Sequence, residues 1–297
     1  GLDPERLYYT VYTTDDEAEN IWKELGIPED RIYRFGDEDN WWGPAGDEGV
    51  CGPSSEINYY RGSLDDVPAK DDPIRNGEWG PNYHDDFVEL YNLVFTQFYR
   101  DLDGNDTVLP AKNIDTGMGF ERMLAVLQGA PNVYETDAFR PIIAHVEQLS
   151  GKKWGQDKEV DRAIRIVAEH ARSASFLIGD GVIPGNSGRG YVLRRLIRRG
   201  MLFGRELGMD TPMLSSISKT VSDHIGHAYL ELVGNFEFIK DVLEQEEKSF
   251  SRTLEFGALV LAGMIDYRIS NPDAAEQLNN GKKLKLPTGD DGRSVGT

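Results

Sequence analysis

Cysteine is all but missing from this sequence. The single residue, Cys51, excludes an internal disulfide framework and leaves no companion for a cysteine-rich zinc site. Long apolar runs are missing too, so no segment reads as a bilayer-crossing helix. Residues 1–20 carry neither a basic stretch leading into an apolar one nor an Arg-rich amphipathic presequence, so a cytosolic setting without a targeting segment is expected; the first residue, Gly1 rather than Met, suggests a truncated start. Positive charge is scarce, with 32 Lys and Arg against 51 Asp and Glu and a net charge of -19. Such a body repels polyanions unless its cations are gathered in one place.

What remains is a globular composition, 39% hydrophobic and 28% charged, over 297 residues, enough for two moderate domains. Leu7-Tyr8-Tyr9-Thr10-Val11-Tyr12 reads as a strand, and Asp15 to Leu25 as a helix behind the capping candidates Thr13 and Thr14. Residues 36 to 55 have the Gly, Pro, Asp and Trp content of a loop, leading into a strand from Glu56 to Tyr60. A second polar loop over 61 to 85 precedes the strand Phe87 to Arg100. After a turn at Asp103-Gly104-Asn105, a strand over Ala111 to Thr116 and a helix over Gly119 to Gln128 follow. Beyond about Asn132 the pattern is helical: Phe139 to Ser150, Asp161 to Gly179, Gly190 to Leu207, Met213 to Val233 and a long amphipathic Glu237 to Met264. The expected class is α+β. A sheet-based domain over 1–145 and a helical domain over 146–269 are expected, meeting near residues 145 to 160, with a polar mobile tail over 270–297.

The segment Asp115-Thr116-Gly117-Met118-Gly119-Phe120-Glu121-Arg122 ends a strand and opens a helix. Small residues let a ligand approach the backbone, and Arg122 in the first helical turn can meet a phosphate beside the positive helix terminus. Alone, this octet is better read as a tight turn with a surface arginine, the commoner case. It is not alone. Cys51 to Ile57 (CGPSSEI), Glu89 to Phe95 (ELYNLVF), Tyr134 to Arg140 (YETDAFR), Ala168 to Gly181, and Asn186 to Arg195 (NSGRGYVLRR) accompany it in order. Together these six segments resemble the class II aminoacyl-tRNA synthetases in their alanyl form, across about residues 5 to 265, with Asp115 to Arg122 similar to that family's motif 3.

The resemblance implies a partial class II adenylation domain built on an antiparallel sheet, followed by a helical tRNA-recognition domain. It implies a pocket in which Asp115 pairs with the ammonium of alanine while Trp42, Asn92, Val94 and Gly117 shape a space for a methyl group. A carboxylate facing an ammonium gives a charge-assisted contact, and a small apolar floor excludes larger side chains by clash. Glycine and serine are only weakly rejected, because one methyl or hydroxyl is worth about 1–3 kcal/mol. Arg122, with Gly119 beside it, is implied to bind the ATP phosphates. Magnesium is expected with ATP, Glu89 being a possible ligand, although a strand glutamate is more often structural.

Arg189, Arg194, Arg195, Arg198, Arg199 and Arg205 lie in or beside one expected helix, the 194/198 and 195/199 pairs one turn apart. Composition allows either a positive stripe for phosphates or a solvated face whose arginines pair with acidic neighbours. The resemblance favours the acceptor stem of tRNA(Ala), with Asn186 reading its G·U pair from the minor groove. His84, His145, His170, His224 and His227 form no metal-ligand motif, and no zinc is expected.

Several departures limit the resemblance. Position 54 is Ser where the family usually has Cys. Nothing similar to class II motifs 1 and 2, to the family's later aspartate-bearing tRNA motif, or to an editing site is found, so the chain alone is expected to be a monomer that is poor at adenylation or inactive. A tRNA-binding module that has lost its chemistry is the competing reading, opposed by the joint presence of Asp115, Gly117, Arg122, Trp42 and Asn92. A free-standing editing protein is disfavoured because no His-rich zinc signature appears.

Overall fold

The computed structural model describes residues 1–75 and 77–270, the side chain of Ile269 excepted. The chain forms two compact units, Gly1–Asp137 and a second from Ala138 onward. The expected tail falls, from residue 271, outside the described residues.

The first unit is built on β1 (Leu7–Tyr12), β2 (Ile32–Phe35), β3 (Trp41–Trp42), β4 (Gly49–Tyr60), β5 (Phe87–Arg100) and β6 (Asp106–Met118). The sheet order is β2-β1-β4-β5-β6, with β3 paired to β4 off this path. Every pairing is antiparallel except β1 with β2, so the sheet is mixed rather than purely antiparallel. The helices of this unit are α1 (Asp16–Glu24), the single turn α2 (Asp37–Asn40) and α3 (Phe120–Gln128). Asp15, rather than Thr13 or Thr14, caps α1, its carboxylate accepting from Ala18 N at 3.0 Å.

Strand alternation gives the sheet two distinct faces. On one, Trp22 of α1 packs against Tyr9 with ring centroids 4.4 Å apart, and its Nε1 donates to Ser55 Oγ at 2.8 Å. On the other, the segment between β4 and β5 brings Trp79 onto Tyr8 and Tyr60, with Phe87 packed alongside. This aromatic core ends one row before Thr10, which stands opposite Glu56. Residues 49 to 55, expected in a loop, extend β4 instead. Trp41 and Trp42 pair with Pro53 and Gly52 on one side, and β5 pairs on the other. Gly52 is required there, since a Cβ would lie 2.0 Å from the Phe95 carbonyl oxygen.

The second unit is helical, with α4 (Arg140–Ser150), α5 (Lys158–Gly179), α6 (Gly188–Glu206), α7 (Leu214–Ile225), α8 (Leu230–Gly234) and α9 (Phe236–Ser270). Along α5, Ala163, Ile164, Val167, Ala168, Ala171, Ala174, Ser175 and Ile178 are buried at helical spacing. α5 contacts α4, α6, α7, α8 and α9. The two compact units meet at Asp137/Ala138, and Ile142, Ile143 and Val146 bury α4 in the helical unit, where it meets α5 and α7. The helix expected from Met213 to Val233 is two helices. α7 stops at Gly226, whose amide donates to Ser222 O at 2.9 Å, and the turn over His227 to Tyr229 leads into α8. Glu247 of α9 is fully buried and accepts from the Met213 and Leu214 amides at 3.0 and 3.2 Å, closing the amino end of α7.

Candidate functional site

Sheet register assembles one candidate site from residues far apart in sequence. One row runs Thr10, Glu56, Asn92, Gly117 across β1, β4, β5 and β6, and the next row on the same face runs Ser54, Val94, Asp115. Four of the expected pocket residues, Asn92, Val94, Asp115 and Gly117, are therefore neighbours on a single face. Val94 is buried, Asn92 half-buried, and Asp115 and Gly117 exposed on the edge strand. Nothing lies within 4 Å of the position a Cβ on Gly117 would take, so the space above that glycine is open. Trp42, 39% exposed, stands on β3 opposite Gly52, two residues along β4 from Ser54. Trp41 instead stacks on Phe98 at 5.9 Å, beneath the Arg100 guanidinium.

Gly119 caps α3 without any side-chain hydrogen bond, and its amide donates to Leu90 O at 3.0 Å, joining the helix to β5. From the first turn of α3, Arg122 Nη1 donates to the Glu89 carboxylate at 2.7 Å and to the Glu89 carbonyl at 3.1 Å. The Arg122 side chain stays half exposed, and its Nε and Nη2 are not used in these contacts. The Glu89 carboxylate is thus paired with Arg122 through Oε2, while Oε1 is not used in this contact. Among the described residues no three His, Cys, Asp or Glu side chains gather as a metal site.

Glu56 was not singled out in the sequence, although it lies inside CGPSSEI. It is 8% exposed and accepts from Thr10 Oγ1 at 3.2 Å and from Asn92 Nδ2 at 3.4 Å. Burial, then the neighbouring Glu89 carboxylate, raises its pKa to about 7. The available signal was a lone carboxylate between the small Ser55 and the strand-forming Ile57.

In the helical unit, Asn186 and the arginines sit on α6 and the turn before it. Gly190 permits that turn, since a Cβ there would lie 2.6 Å from the Ile183 carbonyl oxygen. The arginines do not form one stripe. Arg198 Nε donates to Glu246 at 2.8 Å, and Arg194 Nε lies 3.3 Å from the same carboxylate. Arg194 also donates to Asn186 Oδ1 and to Pro184 O. Arg189, Arg195, Arg199 and Arg205 point outward, Arg195 over the Tyr191 ring and Arg199 over Phe203. Partnering with an acidic neighbour thus describes two of the six, and exposure to solvent the other four.

His145 bridges Thr220 and Ser216, and burial lowers its pKa. His170 of α5 packs against Gly200 of α6 with neither ring nitrogen hydrogen-bonded, and burial with nearby Arg199 lowers its pKa to about 4. Neither resembles a ligand set. Among the described residues no helix is long and apolar enough to cross a membrane.

The family model described as tRNA synthetases class II (A) matches residues 1–285. The chain belongs to this family. It is similar to proteins named "Alanine--tRNA ligase": one from Dehalococcoides mccartyi, 47% identical over 278 residues, covering 92% of this chain and 31% of the relative; one from Petrotoga mobilis, 46% identical over 258 residues, covering 86% and 29%; and one from Thermotoga maritima, 45% identical over 277 residues, covering 92% and 32%. The chain therefore spans about a third of the length of the curated relatives it matches. The mixed sheet followed by helices is the α+β arrangement expected of this class II synthetase chain.

Proposed function

We propose that this chain carries the alanine pocket and a phosphate-binding arginine of an alanine-tRNA ligase, together with a surface for the acceptor stem of tRNA(Ala). The observation that carries the reading is the pair of cross-sheet rows that bring Asp115, Val94, Asn92 and Gly117 together. Asp115 receives the alanine ammonium, Val94 gives the methyl group an apolar floor, and the open space at Gly117 admits the backbone of the amino acid. Trp42 closes the pocket from β3. The site rejects bulk by clash and favours a cationic amine by charge.

In the first step an alanine carboxylate oxygen attacks the α-phosphorus of ATP; the new P–O bond forms as the bond to pyrophosphate breaks, giving alanyl-adenylate. Arg122 is suited to the phosphate role because donors of its planar guanidinium remain unused beside the uncapped amino end of α3 at Gly119. It offsets negative charge that builds on the phosphates as the oxygens separate. Magnesium, which accompanies ATP in class II synthetases, would add charge neutralisation to the phosphates; Glu89, whose Oε1 is not used by Arg122, would be its protein ligand. In the second step a terminal ribose hydroxyl of tRNA attacks the acyl carbon and releases AMP. Arg189, Arg195 and Arg199 meet the acceptor-stem backbone, and Asn186 reads the G·U pair in the minor groove. A cytoplasmic site of action accords with such a reaction.

The experiment is alanine-dependent exchange of pyrophosphate into ATP, measured on a chimera in which this chain replaces the matching third of the Thermotoga maritima relative. Exchange is expected, and Asp115→Ala is expected to abolish it with the thermal unfolding profile unchanged. Exchange at the unsubstituted rate in Asp115→Ala would remove the pocket assignment.

A further inference from the structure

We propose that Glu56 is a positioning residue that sets which end of the Asn92 side-chain amide faces the alanine pocket, through a hydrogen-bond relay whose direction is fixed by Asn40 and Thr10. The proposal rests on the pocket reading above and adds the device that orients one of its walls.

Direction follows from donor and acceptor chemistry. Asn40 Nδ2 donates to Thr10 Oγ1 at 2.8 Å, so the Thr10 hydroxyl hydrogen is free to go onward to Glu56 Oε2 at 3.2 Å. Thr10 is further held by its carbonyl, which accepts from Ser55 Oγ at 2.7 Å, and Ser55 in turn accepts from Trp22 Nε1. Above its pKa of about 7 Glu56 is ionised and can only accept, so the partner at its second oxygen must then be a donor, and Asn92 turns its NH2 group toward Oε1 at 3.4 Å. The amide oxygen is thereby directed away from Glu56. Asn92 Oδ1 is shielded from solvent and accepts no hydrogen bond from the protein. A buried acceptor without a donor is costly, and such groups tend to be retained where a ligand completes them. Here the oxygen belongs to the residue opposite Gly117 and one row from Asp115, where the pocket reading puts a substrate ammonium with three donors.

The same relay explains why a carboxylate, rather than an amide, occupies position 56. In Glu56→Gln, Thr10 still presents its hydrogen, so the glutamine oxygen turns to Thr10 and its NH2 to Asn92. The Asn92 amide must then reverse, and its own NH2 would face the ammonium, donor against donor.

The test pairs two readouts. In the isolated chain, the side-chain NH2 resonances of Asn92 in ¹⁵N-labelled protein are expected to move in Glu56→Gln, because they lose a carboxylate acceptor. In the chimera, the alanine KM for pyrophosphate exchange is expected to rise by about 10- to 100-fold, the loss of one hydrogen bond to a charged group, with kcat and the KM for ATP little changed. The double variant Thr10→Val with Glu56→Gln releases the glutamine to turn back, and the alanine KM is expected to return toward the unsubstituted value, a rescue that damage to packing would not produce. Unchanged Asn92 resonances and an unchanged alanine KM in Glu56→Gln would overturn the proposal, as would absence of rescue. If Glu56→Gln is silent while Asp115→Ala abolishes exchange, the relay fails and the pocket stands; if both are silent, the pocket reading fails as well.

Discussion

Replacing Glu56 by glutamine should make the sheet unit more stable in neutral and alkaline solution while leaving it unimproved in acid. Glu56 is 8% exposed, and burial together with Glu89 raises its pKa from an ordinary 4.5 to about 7. At about 1.4 kcal/mol for each tenfold change in proton affinity, that rise corresponds to about 3 kcal/mol. The folded pKa lies above the unfolded one. The stability contributed by the protonated form is therefore fully present below about pH 4.5 and is lost as pH rises through 7. Glutamine has no proton to lose and escapes this penalty, so the variant should gain up to about 3 kcal/mol over the parent at pH 8 and little at pH 4.5, offset in part by the reversed amide contacts. Urea unfolding followed by tryptophan fluorescence suits the question, since Trp22, Trp41, Trp42 and Trp79 all lie in the first unit. At a urea dependence of about 1.5–2 kcal/mol per molar, the midpoint should separate by about 1.5–2 M at pH 8. A separation that is the same at both pH values would refute the reasoning, since a cost independent of ionisation is not electrostatic.

Two further predictions follow from the helical unit. Glu247→Ala leaves the buried Met213 and Leu214 amides without an acceptor and should cost about 2–4 kcal/mol, whereas Glu247→Gln keeps an acceptor oxygen and should cost less than about 1 kcal/mol, as read from urea midpoints. Asn186→Ala in the chimera should reduce discrimination between tRNA with and without the acceptor-stem G·U pair by about 10-fold or more, with a smaller change in overall affinity; equal loss on both tRNAs would separate Asn186 from the reading of that pair.

Much of the fold was legible because it rests on local pattern. The apolar run Phe87 to Arg100 forms β5, and the spacing of Ala163 to Ile178 forms the buried stripe of α5. The strand-to-helix change at Gly119 was legible too, because small residues precede an amphipathic run. The extension of β4 through Gly52 and Pro53 was not, since its glycine and proline read locally as a turn, and only their pairing with β3, between the β5 pairs of Cys51 and Ser54, makes them part of a strand. The parallel strand β2 is four residues long, too short to show a period. The four residues of the proposed pocket were named through family resemblance, yet their placement on one face depends on register among β4, β5 and β6, which no local window contains. Glu56 and Glu246 were missed for the same reason. Each is made significant by partners far along the chain, Thr10 for one and Arg198 for the other. The division of the α6 arginines into held and outward groups likewise depends on where α9 packs.

The pocket assignment is tested most directly by a crystal structure of this chain with a non-hydrolysable sulfamate analogue of alanyl-adenylate. The amine nitrogen is expected within hydrogen-bonding distance of the Asp115 carboxylate, with the methyl group on Val94 and the adenylate moiety extending toward Arg122. An analogue bound with its amine away from Asp115, or on the opposite face of the sheet, would contradict the account.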